Sequence, residues 1–288
     1  AGGGLGASQV LVCLALFGLV AWWLTGSPEI GVVLGGALAL SSTAIVTKQL
    51  TEQLEIHTRH GRRAVGVLLF QDLAVVPLLI AIPILAGNSD HSLGAELGIS
   101  LLKGIAVFAA MVCIGRKALR PIFHEVAQAR SNELFTLTVL LIAIAAAWAT
   151  YLAGLSLALG AFLAGIMLGE TEYRHQIDAD IRPFRDVLLG FFFITVGMVI
   201  DLSVLLSGLH WIGLIAAGMM AVKLLLVYAI ARSVDGPVDA GRTALILANG
   251  GEFGFALIAL AISAGLMTSG TSQLVIAGIV VSMIAAPI

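Results

Sequence analysis

An apolar run from about Ala64 to Leu85 carries one charged side chain near its middle, in Gly66-Val67-Leu68-Leu69-Phe70-Gln71-Asp72-Leu73-Ala74-Val75-Val76-Pro77. The run is long enough to cross a hydrocarbon core as a helix, for which about 20 apolar residues suffice. A carboxylate at that depth is costly unless it faces protein or water, so the remaining segments must supply its surroundings. Composition agrees: 59% of the 288 residues are hydrophobic and 11% are charged, against about 25% charged in a soluble domain. The fold class expected is therefore an all-α polytopic membrane protein. Thirty-three glycines suit close helix contact through small residues, whereas a membrane barrel would show short alternating strands. Cys13 and Cys113 both fall in apolar runs, where small buried hydrophobes are expected rather than a disulfide or metal centre.

Ten apolar segments can be drawn, at 7–24, 30–49, 63–86, 97–119, 133–152, 156–169, 187–206, 209–231, 242–264 and 271–288. The 156–169 run is short for a straight crossing. The 30–49 run is interrupted by Ser41, Ser42 and Thr43, as a discontinuous helix would be. Thirteen of the fifteen basic residues lie in or beside alternate connections, at 50–62, 116–130, 170–186 and 232–242. The intervening connections, near 25–29, 87–96, 153–155, 207–208 and 265–270, hold no lysine or arginine. By the positive-inside rule this alternation gives ten crossings with both chain ends cytoplasmic. The expected location is the plasma membrane, multi-pass, with the bacterial inner membrane favoured and the basic-poor side periplasmic. Of the two exceptions, Lys103 is near the outer end of its span and can snorkel; Lys223 is too deep for that. The chain begins at Ala1, without an initiating methionine or an arginine-flanked signal peptide, and is expected to be part of a longer protein.

The polar connections carry little chemistry of their own. Asp90 and His91 sit in a solvated external turn with no third metal ligand. The stretch from Pro121 to Asn132, with Arg120, His124, Glu125, Arg130 and Glu133 in or beside it, reads as an interfacial connector or amphipathic helix. Residues 170–186 form the densest charge cluster, either a solvated helical linker or a regulatory contact surface.

Three charged groups lie deep in the apolar spans: Asp72, Lys223 and Glu252. Burial favours a protonated carboxyl, while water or a cation favours the carboxylate, so Asp72 can hold a proton in one circumstance and a monovalent cation in another. Gln71 adds a carbonyl without charge, but neighbouring residues do not share a helix face, so it lines a wall or holds a neighbour. Pro77 removes an amide donor and frees the Leu73 carbonyl close by. Ser41, Ser42 and Thr43 offer hydroxyls either to a dehydrating monovalent cation, held with Asp72 and Thr43, or to their own helix carbonyls. Lys223 either pairs within the bundle or neutralises Asp72 when no cation is present, the two titrations then being coupled. Glu252 lies in Leu247-Ala248-Asn249-Gly250-Gly251-Glu252-Phe253-Gly254-Phe255, a second interrupted segment that echoes Ser41-Ser42-Thr43. Its charge suits the exposed amides of a helix end. No phosphate loop, dinucleotide fingerprint or HExxH is present, and Gly2-Gly3-Gly4-Leu5-Gly6 follows no strand. No cofactor, enzymatic activity or nucleic-acid partner is expected.

Several stretches together resemble the membrane domain of monovalent cation:proton antiporter-2 proteins, and among these the Kef-type potassium:proton antiporters. They are Ser41-Ser42-Thr43-Ala44-Ile45, His60-Gly61-Arg62, Leu69-Phe70-Gln71-Asp72-Leu73-Ala74, Leu159-Gly160-Ala161-Phe162-Leu163-Ala164-Gly165, Phe191-Phe192-Phe193 with Val196-Gly197-Met198, and Gly251-Glu252-Phe253-Gly254-Phe255. The resemblance covers nearly the whole chain. It implies a sodium/proton-antiporter-like inverted-repeat fold with crossed discontinuous helices, a homodimer in the lipid bilayer, and elevator-like alternating access. It implies exchange of potassium, or sodium, for protons at the carboxylate matching Asp72, with the cation held at Asp72 and Thr43. Gln71 takes the place of the first acid of an Asp-Asp pair, which implies electroneutral exchange, and the lysine matching Lys223 pairs with the site. The loop matching His175 to Phe184, with Asp178 and Asp180, is where such proteins receive regulation from a cytoplasmic nucleotide-binding domain or ancillary subunit outside this segment. On this reading residues 1–288 are the exchanger domain without its opening helices: 1–86 close the first repeat, 97–152 connect, and 156–288 form the second. The alternatives are a sodium:proton antiporter of the same fold, a ligand-gated potassium channel, which would need a continuous pore, and a scaffold, which would not need Asp72.

Overall fold

The computed structural model describes residues 2–86, 93–129, 131–153, 157–199 and 208–286. Twelve helices make up its secondary structure among the described residues: α1 (Gly2–Thr25), α2 (Pro28–Ala39), α3 (Thr43–Glu52), α4 (Arg59–Leu85), α5 (Leu93–Gln128), α6 (Asn132–Leu152), α7 (Leu157–Gly169), α8 (Arg174–Val199), α9 (Leu209–Arg232), α10 (Pro237–Leu247), α11 (Glu252–Ser263) and α12 (Ser269–Ala285). Among the described residues, five helical stretches are long and apolar enough to cross a membrane: Gly4–Thr25, Pro28–Glu52, Arg59–Leu85, Asn132–Leu152 and Leu209–Arg232. The bent pair α10 and α11 makes a sixth, while Leu159–Gly169 and Ser272–Ala285 are apolar but shorter. The protein is thus an all-α polytopic membrane protein, with fewer full-length apolar helices among the described residues than the ten segments drawn from sequence. α5 and α8 each run a charged connector and an apolar segment together, in helices of 36 and 26 residues. The stretch from Pro121 to Asn132, expected as a connector or amphipathic helix, is largely the end of α5, which continues through Pro121 to Gln128. The polar turn with Asp90 and His91 lies outside the described residues.

The chain divides into two compact units, residues 1–78 with 198–288, and residues 79–197. In the first, α1 and α2 are joined by a tight turn: Gly26 has φ +73°, its amide donates to the Trp22 carbonyl at 2.7 Å, and Ser27 caps α2 by accepting from the Ile30 amide at 3.2 Å. The two helices then pack backbone to backbone. A methyl group added at Gly31 would meet the Gly18 carbonyl at 2.8 Å, and one at Gly35 the Leu14 carbonyl at 2.5 Å, the small-residue contact that membrane helices use in place of a hydrophobic drive. A buried cluster of Leu5, Val46, Leu50, Val67, Leu68, Val227 and Leu247, with several alanines, ties α1, α3, α4, α9 and α10 together. Beside it, polar links fasten the α3–α4 connection to the start of α10. His60 Nε2 meets Glu55 Oε2 at 2.9 Å, Arg242 donates to Glu55 Oε1 at 2.9 Å, and Arg63 lies 3.3 Å from Asp235. The hydrogen bond with His60, aided by Arg242, holds the Glu55 carboxyl below its ordinary range.

In the second unit α5, α6, α7 and the start of α8 surround Leu119, Phe123, Phe135, Val139, Leu168 and Ile177. Phe123 stacks at 5.2 Å on Phe135 and 5.7 Å from Tyr173, ring centre to ring centre, distances at which aromatic rings attract beyond simple burial.

Candidate functional site

Two helices of the first unit break where apolar periodicity would carry them on. Between α2 and α3 the chain is extended at Leu40 (φ −79°, ψ 149°) and Ser42 (φ −74°, ψ 112°). Between α10 and α11 it runs through Ala248 to Gly251, and the two helices are bent by 44°. The breaks cross each other: a methyl group on Gly251 would meet the carbonyl carbon and oxygen of Ser41 at 2.8 Å. Each break exposes helix-end amides and carbonyls, which need partners in a water-poor interior.

Gln71 supplies part of that pairing for the first break. Its Oε1 accepts from the Ser41 amide at 2.7 Å, and its Nε2 donates to Gln9 Oε1 at 2.7 Å. Gln9 in turn donates to the Ala39 carbonyl at 2.9 Å. Both glutamines are buried, so α1 and α4 grip the end of α2 through amide hydrogen bonds. Of the two roles open to Gln71 in the sequence, holding a neighbour is the one its contacts describe.

Lys223, fully buried on α9, serves both breaks at once. Its ammonium donates to the Leu40 carbonyl at 2.6 Å, to Ser41 Oγ at 2.9 Å and to the Asn249 carbonyl at 2.6 Å. One cation thus caps the negative ends of α2 and α10. No ion pair between Lys223 and Asp72 occurs among the described residues, since all three ammonium donors are engaged on the breaks.

Asp72 stands at the opposite polarity. Thr43, the first residue of α3, donates to both carboxylate oxygens, at 3.2 and 3.3 Å. Glu252 is the first residue of α11. Each acid therefore sits at the positive end of a half-helix, and the lysine at the negative ends. The three hydroxyls proposed as one group divide their work. Thr43 turns to Asp72, Ser42 caps its own helix by accepting from the Ile45 amide at 3.3 Å, and Ser41 donates to the Leu247 carbonyl at 2.8 Å, binding one break to the other.

His175, Asp178 and Asp180 are on the first turns of α8 in the second unit. There Arg182 donates to Asp178 at 2.8 Å, and the Nε of Arg174 donates to His175 at 3.4 Å. No cluster of three histidine, cysteine or acidic ligands that could hold a metal occurs among the described residues.

Sequence reasoning missed Gln9 and Ser282. Gln9 is a lone amide in an apolar run, the same signal that singled out Gln71. Ser282 accepts from the Gly250 amide at 3.0 Å but looks, in sequence, like any small residue of a membrane helix. Asn249 was visible within the second interrupted segment, yet no role was attached to it.

What arrangement this is similar to can be put in terms of known proteins. The family model described as sodium/hydrogen exchanger, transmembrane, matches residues 4–288. A putative K(+) efflux antiporter KefB of Alkalimonas amylolytica is 45% identical over 285 residues, 98% of this chain and 43% of that protein. K(+) efflux antiporter 1, chloroplastic, of Arabidopsis thaliana is 41% identical over 99% of this chain and 24% of its own length. The glutathione-regulated potassium-efflux system protein KefC of Salmonella heidelberg (strain SL476) is 37% identical over 98% of this chain and 46% of its own length. The chain spans less than half the length of these relatives.

Proposed function

The chain belongs to the sodium/hydrogen exchanger transmembrane family, and from that premise we propose that it is the membrane domain of a Kef-type antiporter exchanging potassium for protons. The observation that carries this reading is the Asp72 carboxylate, half-buried and bonded through both oxygens to Thr43, at the head of a half-helix where two broken helices cross. A proton and a partly dehydrated monovalent cation compete for such a group, and competition for one carboxylate suffices to couple two fluxes. Gln71 is neutral and spends its amide on the Ser41 backbone and Gln9. One carboxylate exchanging one proton for one cation leaves the carrier's charge unchanged, which is electroneutral antiport.

The same reading takes the two breaks as members of an inverted repeat, related across the membrane, whose half-helix ends face the ion. It takes the protein as a homodimer of about ten crossings per subunit in a bacterial inner membrane, moving Asp72 between compartments by alternating access. Regulation through a cytoplasmic nucleotide-binding domain or ancillary subunit, received near His175, Asp178 and Asp180, belongs to the same proposal.

Reconstitution of the full-length protein in liposomes tests it. Proton movement should follow an imposed potassium gradient, more strongly than a sodium gradient, and Asp72→Asn should abolish it. Unchanged exchange by Asp72→Asn would exclude the carrier role. Sodium dependence alone would make the protein a sodium:proton antiporter, and fast potassium flux without protons would make it a channel.

A further inference from the structure

At the break between α10 and α11, Asn249 is 1% exposed, and neither its side-chain oxygen nor its side-chain nitrogen has a hydrogen-bond partner among the described residues. Its backbone is held firmly, by Lys223 on the carbonyl at 2.6 Å and by Ser282 on the next amide at 3.0 Å. Only the carboxamide is left out. Three residues on, Glu252 Oε2 is a second buried oxygen without a partner among the described residues. An unpaired buried polar group costs about 1–3 kcal/mol, and native interiors pair nearly all of them with protein, water or an ion.

The neighbouring groups cannot fill the need. Lys223 has three donors, and all three are committed, to Leu40, Ser41 and Asn249 carbonyl or hydroxyl oxygens. The Ser41 hydroxyl donates to the Leu247 carbonyl, and the Ser282 hydroxyl to the Ile279 carbonyl. What remains is a carboxamide oxygen and a carboxylate oxygen on one break, beside the crossing with Ser41. Hard oxygen donors of this kind, with net negative charge, suit a cation of the alkali type better than a neutral molecule.

We infer that the Asn249 carboxamide and the Glu252 carboxylate form a holding position for the transported monovalent cation on the α10–α11 break. This rests on the antiport reading given above. Asn249 does not titrate, so its part is in cation affinity and choice, while proton release stays with Asp72.

The test uses the full-length protein with KCl and NaCl as probes. In liposomes, Asn249→Ala should raise the potassium concentration for half-maximal proton movement about tenfold, equivalent to about 1.4 kcal/mol, and narrow the potassium-over-sodium preference, with the pH profile unmoved. Asn249→Gln should recover part of the affinity. In detergent, KCl should raise the Tm of the wild type and not that of Asn249→Ala. Asn249→Leu separates the alternatives: a carboxamide of merely structural standing would give a higher Tm on replacement and an unchanged half-maximal potassium concentration, and that pair of results would overturn the proposal. Were the wild type to move no protons in response to either cation, the antiport reading would fall, and the KCl effect on Tm in wild type against Asn249→Ala would still decide the cation position.

Discussion

The ammonium of Lys223 does for two broken helices what the next turn of backbone does for an intact one. Carbonyls at the ends of α2 and α10 would lie unpaired in the interior, and a single buried cation takes both, together with the Ser41 hydroxyl. Lys223→Met keeps the apolar stem and removes the three donors. It should lower the Tm of the full-length protein in detergent markedly, since each orphaned buried carbonyl costs about 1–3 kcal/mol. A direct Lys223–Asp72 pair in the same state would predict instead that Asp72→Asn lowers the Tm as much as Lys223→Met does; the geometry gives Asp72→Asn a much smaller effect, because Asp72 is bonded to Thr43. The presence of a deep lysine was plain in the sequence. Its partners were not, because Leu40, Ser41 and Asn249 contribute backbone carbonyls or a common hydroxyl, and backbone groups carry no sequence signature.

At the scale of elements, the crossing depends on how closely two backbones approach. Gly251 lies against Ser41 with no room for a side chain, so Gly251→Ala should push the breaks apart, weaken the bonds that Lys223 makes to both, and sharply reduce exchange in liposomes along with Tm. Gly213, on α9, has open space where a methyl group would go, and Gly213→Ala should leave exchange intact. Its helix propensity should gain by about 1 kcal/mol. Equal effects of the two substitutions would show that glycine content, not the crossing, sets stability. Both interruptions were legible as polar and flexible residues inside apolar runs. That one break lies upon the other was not, since residues 41 and 251 are joined only by folding. The charged stretches after the fourth and before the seventh apolar segments were legible as possible helices, but not their continuity with those segments: α5 and α8 run unbroken from charged to apolar sequence, through Pro121 and Pro183.

For the whole molecule, the positive-inside rule predicts an orientation that can be measured. In a variant lacking Cys113, which is exposed, a cysteine at Glu52, beside the basic 50–62 connection, should react with an impermeant maleimide only from the cytoplasmic side. One at Thr268, in the basic-poor connection before α12, should react only from the other. Labelling of both from one side would refute the alternation of crossings. Apolar runs, their interruptions and the asymmetry of lysine and arginine are local properties, so the sequence by itself determined an all-helical membrane chain, the two broken segments, and Asp72, Lys223 and Glu252 as the groups whose depth needs explanation. Which of them meet was decided by tertiary structure alone. Helix ends leave amides and carbonyls in a medium without water, and only the packing of α1, α4 and α9 around the crossing determines that Gln71 and Lys223 answer that need, while Asp72 is bonded by the Thr43 hydroxyl.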